Sequence, residues 1–71
     1  MQQEALKVLG IAVRKARLEK GLTQQQLAYA CGCDATYISM IESGKRNPPF
    51  LTLYRISAQL GQPLAKLLRA L

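Results

Sequence analysis

The spacing of apolar residues along the chain predicts five helices. Residues 4–20 carry apolar side chains at intervals of three and four, the period of one helical face. Shorter stretches with the same period begin near positions 24, 35, 50 and 64. The expected inward faces are Leu6, Leu9, Val13 and Ala16 in the first helix, and Phe50, Leu53, Ile56 and Leu60 in the fourth. The predicted fold class is all-α.

The stretch from Gln24 to Ser43 predicts two short helices joined by a tight turn. Thr23 and Asp34 are placed to cap them, because short oxygen-bearing side chains accept the free N–H groups of a helix start. Gly32 marks the turn between the helices. The small apolar faces of two such helices meet only if the helices cross steeply there, as in a helix-turn-helix.

The third predicted helix, residues 35–43, carries the main functional signal. At about 100° per residue, four of its side chains fall on one arc, opposite two isoleucines. This outward face comprises Thr36, Ser39, Met40 and Ser43. It is uncharged and its side chains are short, so the helix suits the major groove of DNA, which is about 12 Å wide. The alternative is an ordinary polar helix face.

The charge balance favours a polyanionic partner. Lys and Arg number 10 against 4 Asp and Glu, for a net charge of +6. Nucleic acid is the first expectation and an anionic membrane surface the second, with solubility alone as the alternative. Lys45, Arg46 and Asn47 directly follow the third helix, where they are placed to hold phosphates unless they form only a solvated basic loop. Gln24 begins the second helix, whose free N–H groups suit a phosphate.

Composition argues against an enzyme and against a metal or cofactor site. The chain has no His, and its only two cysteines, Cys31 and Cys33, stand too close for an unstrained disulfide and too few for a zinc site. The four acidic residues form no acid–base or nucleophilic constellation.

The N-terminus is a poor secretory signal and no window of about 18 apolar residues occurs, so we expect a cytoplasmic protein that does not enter a membrane. The length predicts a single domain over residues 1–71.

The last helix is rich in leucine, with four in eight residues. A domain of this size cannot bury all of them internally, so part of this surface is predicted to form a homodimer, with extra intramolecular core as the rival explanation. The predicted dimer surface is Leu51, Tyr54, Leu64, Leu67, Leu68 and Leu71.

Four motifs together resemble one family. They are RLEKGLTQQQLA from Arg17, Gly32, TYISMIESGKRNPP from Thr36, and the Leu60–Gly61 pair. The chain is similar to the Cro/C1-type helix-turn-helix family of bacterial and phage regulators, also called the xenobiotic-response-element family. This resemblance implies a compact five-helix, lambda-repressor-like domain that binds two-fold symmetric operators as a dimer and has no catalytic activity. The run RLEKGLTQQQLAY with DATYIS also resembles the controller proteins of restriction-modification systems.

The resemblance implies roles for individual positions. The base-reading positions are Ala35, Thr36, Ser39 and Met40. The positions near the phosphate backbone are Gln24, Tyr37, Ser43, Lys45, Arg46 and Asn47. Arg17 and Glu42 match a structural ion pair, and Glu42 needs such a partner because a carboxylate near phosphates is repelled. No base-reading position holds Gln, Arg or Asn, so methyl contacts and DNA shape are expected to contribute more than bidentate hydrogen bonds.

The leading hypothesis is a dimeric regulator of transcription that binds double-stranded DNA, with RNA polymerase as a further partner if it activates. A rival hypothesis is a protein-interaction module that keeps the fold without reading DNA. Its docking face would be the leucine-rich last helix and Tyr54.

Overall fold

A computed structural model describes residues 2–71, and this part of the chain forms five helices and no strand. The helices are α1 (Gln2–Glu19), α2 (Gln24–Cys31), α3 (Ala35–Glu42), α4 (Phe50–Leu60) and α5 (Leu64–Leu68). α1 packs against α3 and α5, α2 packs against α3 and α4, and α4 packs against α5. The predicted all-α class is confirmed. None of the described helices combines the length and apolar character needed to cross a membrane.

Both predicted caps of the central helix pair are present. The Thr23 hydroxyl accepts the Gln26 N–H at 3.0 Å, and the Gln26 side-chain oxygen accepts the Thr23 N–H at 2.9 Å. This reciprocal pair is a capping box, which satisfies two donors that the helix itself leaves free. Asp34 accepts the Tyr37 N–H at 2.8 Å and so caps α3.

A left-handed residue makes the turn between α2 and α3. Gly32 has φ 73° and ψ 29°, a conformation that costs other L-residues about 1–2 kcal/mol. A Cβ at this position would meet no atom within 4 Å. The turn therefore requires the backbone freedom of glycine and not its small size.

One apolar core lies between the helices and receives side chains from all five. Its fully buried members include Val13 from α1, Leu27 from α2, Ile38 and Ile41 from α3, and Ile56 from α4. Phe50 was expected on the inner face of α4, and this expectation is wrong because 67% of the residue is exposed. It is the first residue of α4, where no preceding turn and no neighbouring helix covers the ring.

α5 belongs to this core through Leu67, which is only 1% exposed. Leu64 is half-buried and packs against the same cluster. The prediction that Leu67 lies in a dimer interface is therefore wrong, because its side chain is already covered within the chain. α5 ends at Leu68, and Leu71 lies exposed beyond it.

Gly10 lies where α1 approaches the C-terminal end of α3. A Cβ at this position would come within 2.5 Å of the Ile41 carbonyl oxygen and closer still to that of Glu42. Both neighbours are backbone atoms, which cannot swing away as a side chain can. Glycine in the middle of α1 weakens that helix by about 1 kcal/mol relative to alanine. It also allows the two helices to touch.

Candidate nucleic-acid interface

The outward face of α3 is directed away from the core. Thr36, Ser39 and Ser43 are exposed and Met40 is half-buried, while Ile38 and Ile41 on the opposite side are fully buried. The half-buried residues Ala35 and Tyr37 flank this face. The Ser43 hydroxyl donates to the Met40 carbonyl at 3.2 Å, a hydrogen bond made at the end of α3 itself.

A buried ion pair holds α3 to α1. The Arg17 Nε donates to Glu42 Oε2 at 2.6 Å, and its Nη2 donates to Oε1 at 3.0 Å. The remaining guanidinium nitrogen, Nη1, donates to the Leu22 carbonyl at 2.8 Å. The two side chains are only 8% and 4% exposed, so this bidentate pair is shielded from water and from salt.

Arg17 stays charged over the whole physiological range. The hydrogen bond to Glu42 raises the pKa of Arg17, burial acts in the opposite direction, and the charge of Glu42 adds to the rise. Arginine is already protonated at all ordinary pH values. The Arg17 side of the link between α1 and α3 therefore does not respond to pH in this range.

Glu42 also holds the start of α2. The Gln24 side-chain nitrogen donates to Glu42 Oε1 at 3.1 Å. Gln24 was predicted to bind phosphate, and this bond was not predicted, because nothing in the spacing of positions 24 and 42 indicates that they meet. An amide nitrogen carries two hydrogens, so one donor of Gln24 is left for an outside acceptor. One carboxylate thus joins α1, α2 and α3.

The basic loop leaves α3 through a glycine turn. Gly44 has φ 77°, and it donates its N–H to the Ile41 carbonyl at 3.1 Å. Lys45 donates its N–H to the Met40 carbonyl at 2.8 Å, which completes the hydrogen-bond pattern of a Schellman motif. This geometry fixes the direction in which the exposed Lys45, Arg46 and Asn47 leave the helix.

Arg46 turns back along α3. Its guanidinium carbon lies 4.9 Å from the centre of the Tyr37 ring, within the range of a cation–π contact. Tyr37 is in the first turn of α3, so the contact brings a cation from the loop beside the start of the helix. The outward face of α3 therefore has positive charge alongside it.

Other sequence-predicted residues lie away from this face. Leu51 and Tyr54 on α4 are 63% and 55% exposed, and Leu68 and Leu71 near the C-terminus are 37% and 61% exposed. α4 and α5 pack against each other, so both helices carry uncovered apolar side chains in the same half of the molecule.

Cys31 and Cys33 are free thiols and both are half-buried. Burial raises the pKa of both thiols; the Cys33 charge adds to the effect on Cys31, and the Asp34 charge adds to that on Cys33. A raised pKa keeps a cysteine in its unreactive thiol form at neutral pH. Both cysteines are therefore structural residues beside the turn.

Comparison with known proteins decides the family. The profile described as "Helix-turn-helix" matches residues 13–67, more than three quarters of the chain. The chain belongs to the Cro/C1-type helix-turn-helix family. This assignment confirms the family that the four sequence motifs indicated.

The matched members of this helix-turn-helix family are regulators. An uncharacterised HTH-type transcriptional regulator from Sinorhizobium fredii is 40% identical over 55 residues, which span 78% of this chain and 71% of that protein. The control protein C.MunI from Mycoplasma is 44% identical over 59 residues, 82% of this chain and 80% of its own length. The helix-turn-helix chain thus shares its family with transcriptional regulators, which are not enzymes.

A solved structure shares the fold. The restriction-modification controller protein C.Esp1396I was solved as a tetramer in complex with its natural 35 base-pair operator. It superimposes on this helix-turn-helix chain with a TM-score of 0.80 at 36% identity, covering 93% of this chain and 92% of that one.

Proposed function

We propose that the chain is a sequence-specific transcriptional regulator that binds double-stranded DNA as a homodimer. Residues 1–71 act as one DNA-binding domain, and the outward face of α3 enters the major groove. In a two-fold symmetric complex, the two copies of α3 occupy successive major grooves about 34 Å apart. The protein then acts at the chromosome in the cytoplasm, with RNA polymerase as a further partner where it activates.

One observation carries this proposal: α3 presents an uncharged outer face with cations alongside. Thr36 and Ser39 are exposed, and Arg46 is held beside the helix by Tyr37. Short hydroxyl side chains let a helix approach the base edges closely, and cations at its margin neutralise the phosphates on either side of the groove. A solvated helix face has no need of this arrangement.

The chemistry of the face indicates how sequence would be read. Hydroxyls contact several base edges, and the side chain of Met40 and the methyl groups of Ala35 and Thr36 suit thymine methyls. None of these contacts is a bidentate pair. Specificity is therefore expected to depend partly on the shape and deformability of the duplex. Phosphate contacts from Gln24, Tyr37, Ser43 and the basic loop would set the register.

The similarity to controller proteins supports an activator or repressor of transcription. The control protein from Mycoplasma and the operator-bound C.Esp1396I both cover most of this chain. Binders selected from a random duplex pool should contain two inverted half-sites. Selected duplexes without inverted half-sites would contradict the proposal that the chain binds DNA as a homodimer.

Two substitutions separate the proposed roles within the interface. Arg46→Ala should weaken binding to every duplex and reduce the slope of log affinity against log salt by about 1. Thr36→Ala should lower the preference for selected over random DNA by about tenfold, equivalent to about 1.4 kcal/mol. Fluorescence anisotropy over a salt series measures both quantities.

Arg69→Ala is the matched control for Arg46. It removes the same charge from the turn after α5, which packs against α1 and α4. Its affinity should stay within about twofold of the parent protein. If Arg69→Ala and Arg46→Ala weaken binding equally, the basic loop has no special part in it.

The dimer surface is proposed on α4 and the C-terminal residues. A double variant, Leu51→Gln with Leu71→Gln, should raise the dimer dissociation constant at least tenfold without unfolding the protein, since both residues are exposed. Ile11→Gln with Leu18→Gln removes two apolar residues of similar exposure, 65% and 55%, from α1 and should leave the dimer unchanged. Sedimentation equilibrium distinguishes the two, and equal effects would exclude α4 as the interface.

A protein-interaction module is the second candidate, since α4 carries uncovered apolar residues that suit a docking face. In that case neither the parent protein nor any variant would bind duplex DNA at physiological salt. If the parent protein and Arg69→Ala bind duplex DNA and Arg46→Ala binds it less tightly, this candidate is ruled out.

A further inference from the structure

A polar cleft opens between α1, α2 and α3 beside the outward face of α3. Its volume is about 230 Å³, and every side chain that lines it is polar or charged. The lining residues are Arg14, Arg17, Gln24, Ser39, Glu42 and Ser43. By contrast, the groove between α1 and α5 is lined largely by apolar residues.

The cleft carries one positive charge without a partner. Glu42 is already paired, because its oxygens accept two bonds from Arg17 and one from Gln24. Arg17 is in turn neutralised by Glu42. Among residues 3–71 no carboxylate oxygen lies within 4.0 Å of a guanidinium nitrogen of Arg14, which is exposed at the rim. A ligand in the cleft therefore meets the net charge of Arg14.

The remaining hydrogen-bonding groups of the cleft are mainly donors. The second amide hydrogen of Gln24 and the hydroxyl of Ser39 are free for an outside acceptor, and Arg14 adds up to five N–H groups. The N-terminus of α2 lies at the same place, because Gln24 is its first residue, and a helix start favours anions. Such a set suits a ligand with several acceptor oxygens and a negative charge.

We propose that Arg14 binds a phosphodiester of the DNA backbone that sits in this cleft beside Gln24 and Ser39. The inference rests on the proposed function and adds a contact from α1, a helix to which neither the motifs nor the family resemblance assigned any DNA contact. Ser39 belongs both to the cleft and to the outward face of α3. The phosphate is therefore on the strand that borders the groove in which α3 lies.

Lys15 offers a matched control for Arg14. It is the next residue of α1, it is also exposed, and it carries the same charge. It lines the α1–α5 groove and not the polar cleft. Arg14→Gln and Lys15→Gln therefore have identical net charge, and they remove that charge from different faces of α1; Arg14→Lys controls for the change of cation.

The test measures the affinity of the full chain for a selected duplex and for a random duplex over a salt series. Arg14→Gln should weaken binding to both duplexes about tenfold or more, as expected for a charge-assisted hydrogen bond, and reduce the salt slope by about 1. Lys15→Gln should change affinity less than about twofold. Arg14→Lys should keep the salt slope while losing part of the affinity, because a point charge replaces a planar fork of donors.

The outcomes separate this inference from the proposed function. If the parent protein binds and Arg14→Gln behaves like Lys15→Gln, the phosphate contact is wrong and the DNA-binding function stands. If the parent protein binds no duplex, both fail. Matching thermal unfolding midpoints for the parent and the two glutamine variants show that neither change acts through the fold.

Discussion

The half of the molecule around α3 and the half formed by α4 and α5 differ in the interactions that stabilise them. Around α3, directional contacts add to the burial of Ile38 and Ile41: a bidentate ion pair from Arg17 and a side-chain cap from Asp34. Around α4 and α5 there is no side-chain cap, since prolines precede both helices, and packing relies on leucine and isoleucine. The half proposed to meet DNA is thus the one whose geometry is fixed by direction as well as by burial.

The difference follows from the demands on each half. Apolar packing alone leaves a helix free to make small shifts, because the side chains of a core can repack when their total volume is kept. A bidentate ion pair has a single good geometry, so it sets both the position and the rotation of α3. A helix that must present particular side chains needs the second kind of restraint. A helix that contributes core and surface leucines does not.

Removing the Glu42 carboxylate, which joins α1, α2 and α3, should have the largest effect on stability. Glu42→Ala leaves Arg17 buried without its partner, which costs about 3–5 kcal/mol of unfolding free energy for a buried pair. Urea denaturation followed by circular dichroism measures the loss. Glu19→Ala is the control, because Glu19 is exposed and makes only a 3.5 Å bond to Gln62. Equal losses in the two variants would mean that the ion pair does not stabilise this half.

In the half formed by α4 and α5, Leu67 is the residue expected to contribute most to stability. Leu67→Ala should cost about 2–5 kcal/mol through a core cavity, while Leu71→Ala should cost less than about 0.5 kcal/mol on folding. The same urea titration, made on chains kept monomeric by dilution, reports both values. A small loss for Leu67→Ala would restore that residue to the list of candidates for the dimer interface.

Gly10 tests how close α1 and α3 must be. Gly10→Ala should destabilise the fold by about 1–3 kcal/mol, because the new methyl group collides with backbone carbonyls even though alanine favours a helix. Gly32→Asn is the comparison: it meets open space, and Asn tolerates the left-handed conformation. We expect Gly32→Asn to be the milder change in thermal unfolding, and the reverse order would contradict the close-contact explanation.

The cap on α2 should have a smaller effect. Thr23→Ala removes the acceptor for the Gln26 N–H and should cost about 1 kcal/mol. Thr23→Ser keeps the hydroxyl and should remain within about 0.5 kcal/mol of the parent in denaturant titrations. If serine fails to preserve stability, the methyl group of Thr23 and not its hydroxyl is what matters.

The cysteines should give the smallest effect, and only at high pH. Both folded thiols have raised pKa values, so their contribution to stability is complete below the unfolded value of about 8.5 and is lost as pH rises through the folded values. Unfolding free energy should therefore fall more from pH 7 to alkaline pH in the parent than in a Cys31→Ala, Cys33→Ala variant. Parallel pH profiles would contradict this.

Local signals were sufficient for much of the fold. The caps at Thr23 and Asp34, the left-handed turn at Gly32 and the start of α4 after Pro49 depend on neighbours within four residues, so sequence spacing predicts them. Phe50 shows the limit of that reasoning. Its position fits the periodic apolar face of α4, but burial requires another helix to cover it, and none does.

For the candidate site, the sequence indicated which residues face outward and which carry charge. The bond from Gln24 to Glu42 and the stacking of Arg46 on Tyr37 were absent from the prediction. Each joins side chains from separate elements, and only the packing of those elements sets their distance. The cleft that includes Arg14 was missed for the same reason.

The sequence by itself determined the helices, their caps, the outward face of α3 and the family, because each depends on short-range periodicity or on a run of neighbouring residues. Tertiary structure alone decided that Gly10 is a contact, that Leu67 is core, and that Glu42 joins three helices. These properties depend on the distance between residues remote in the chain. That distance is fixed only when the helices pack together.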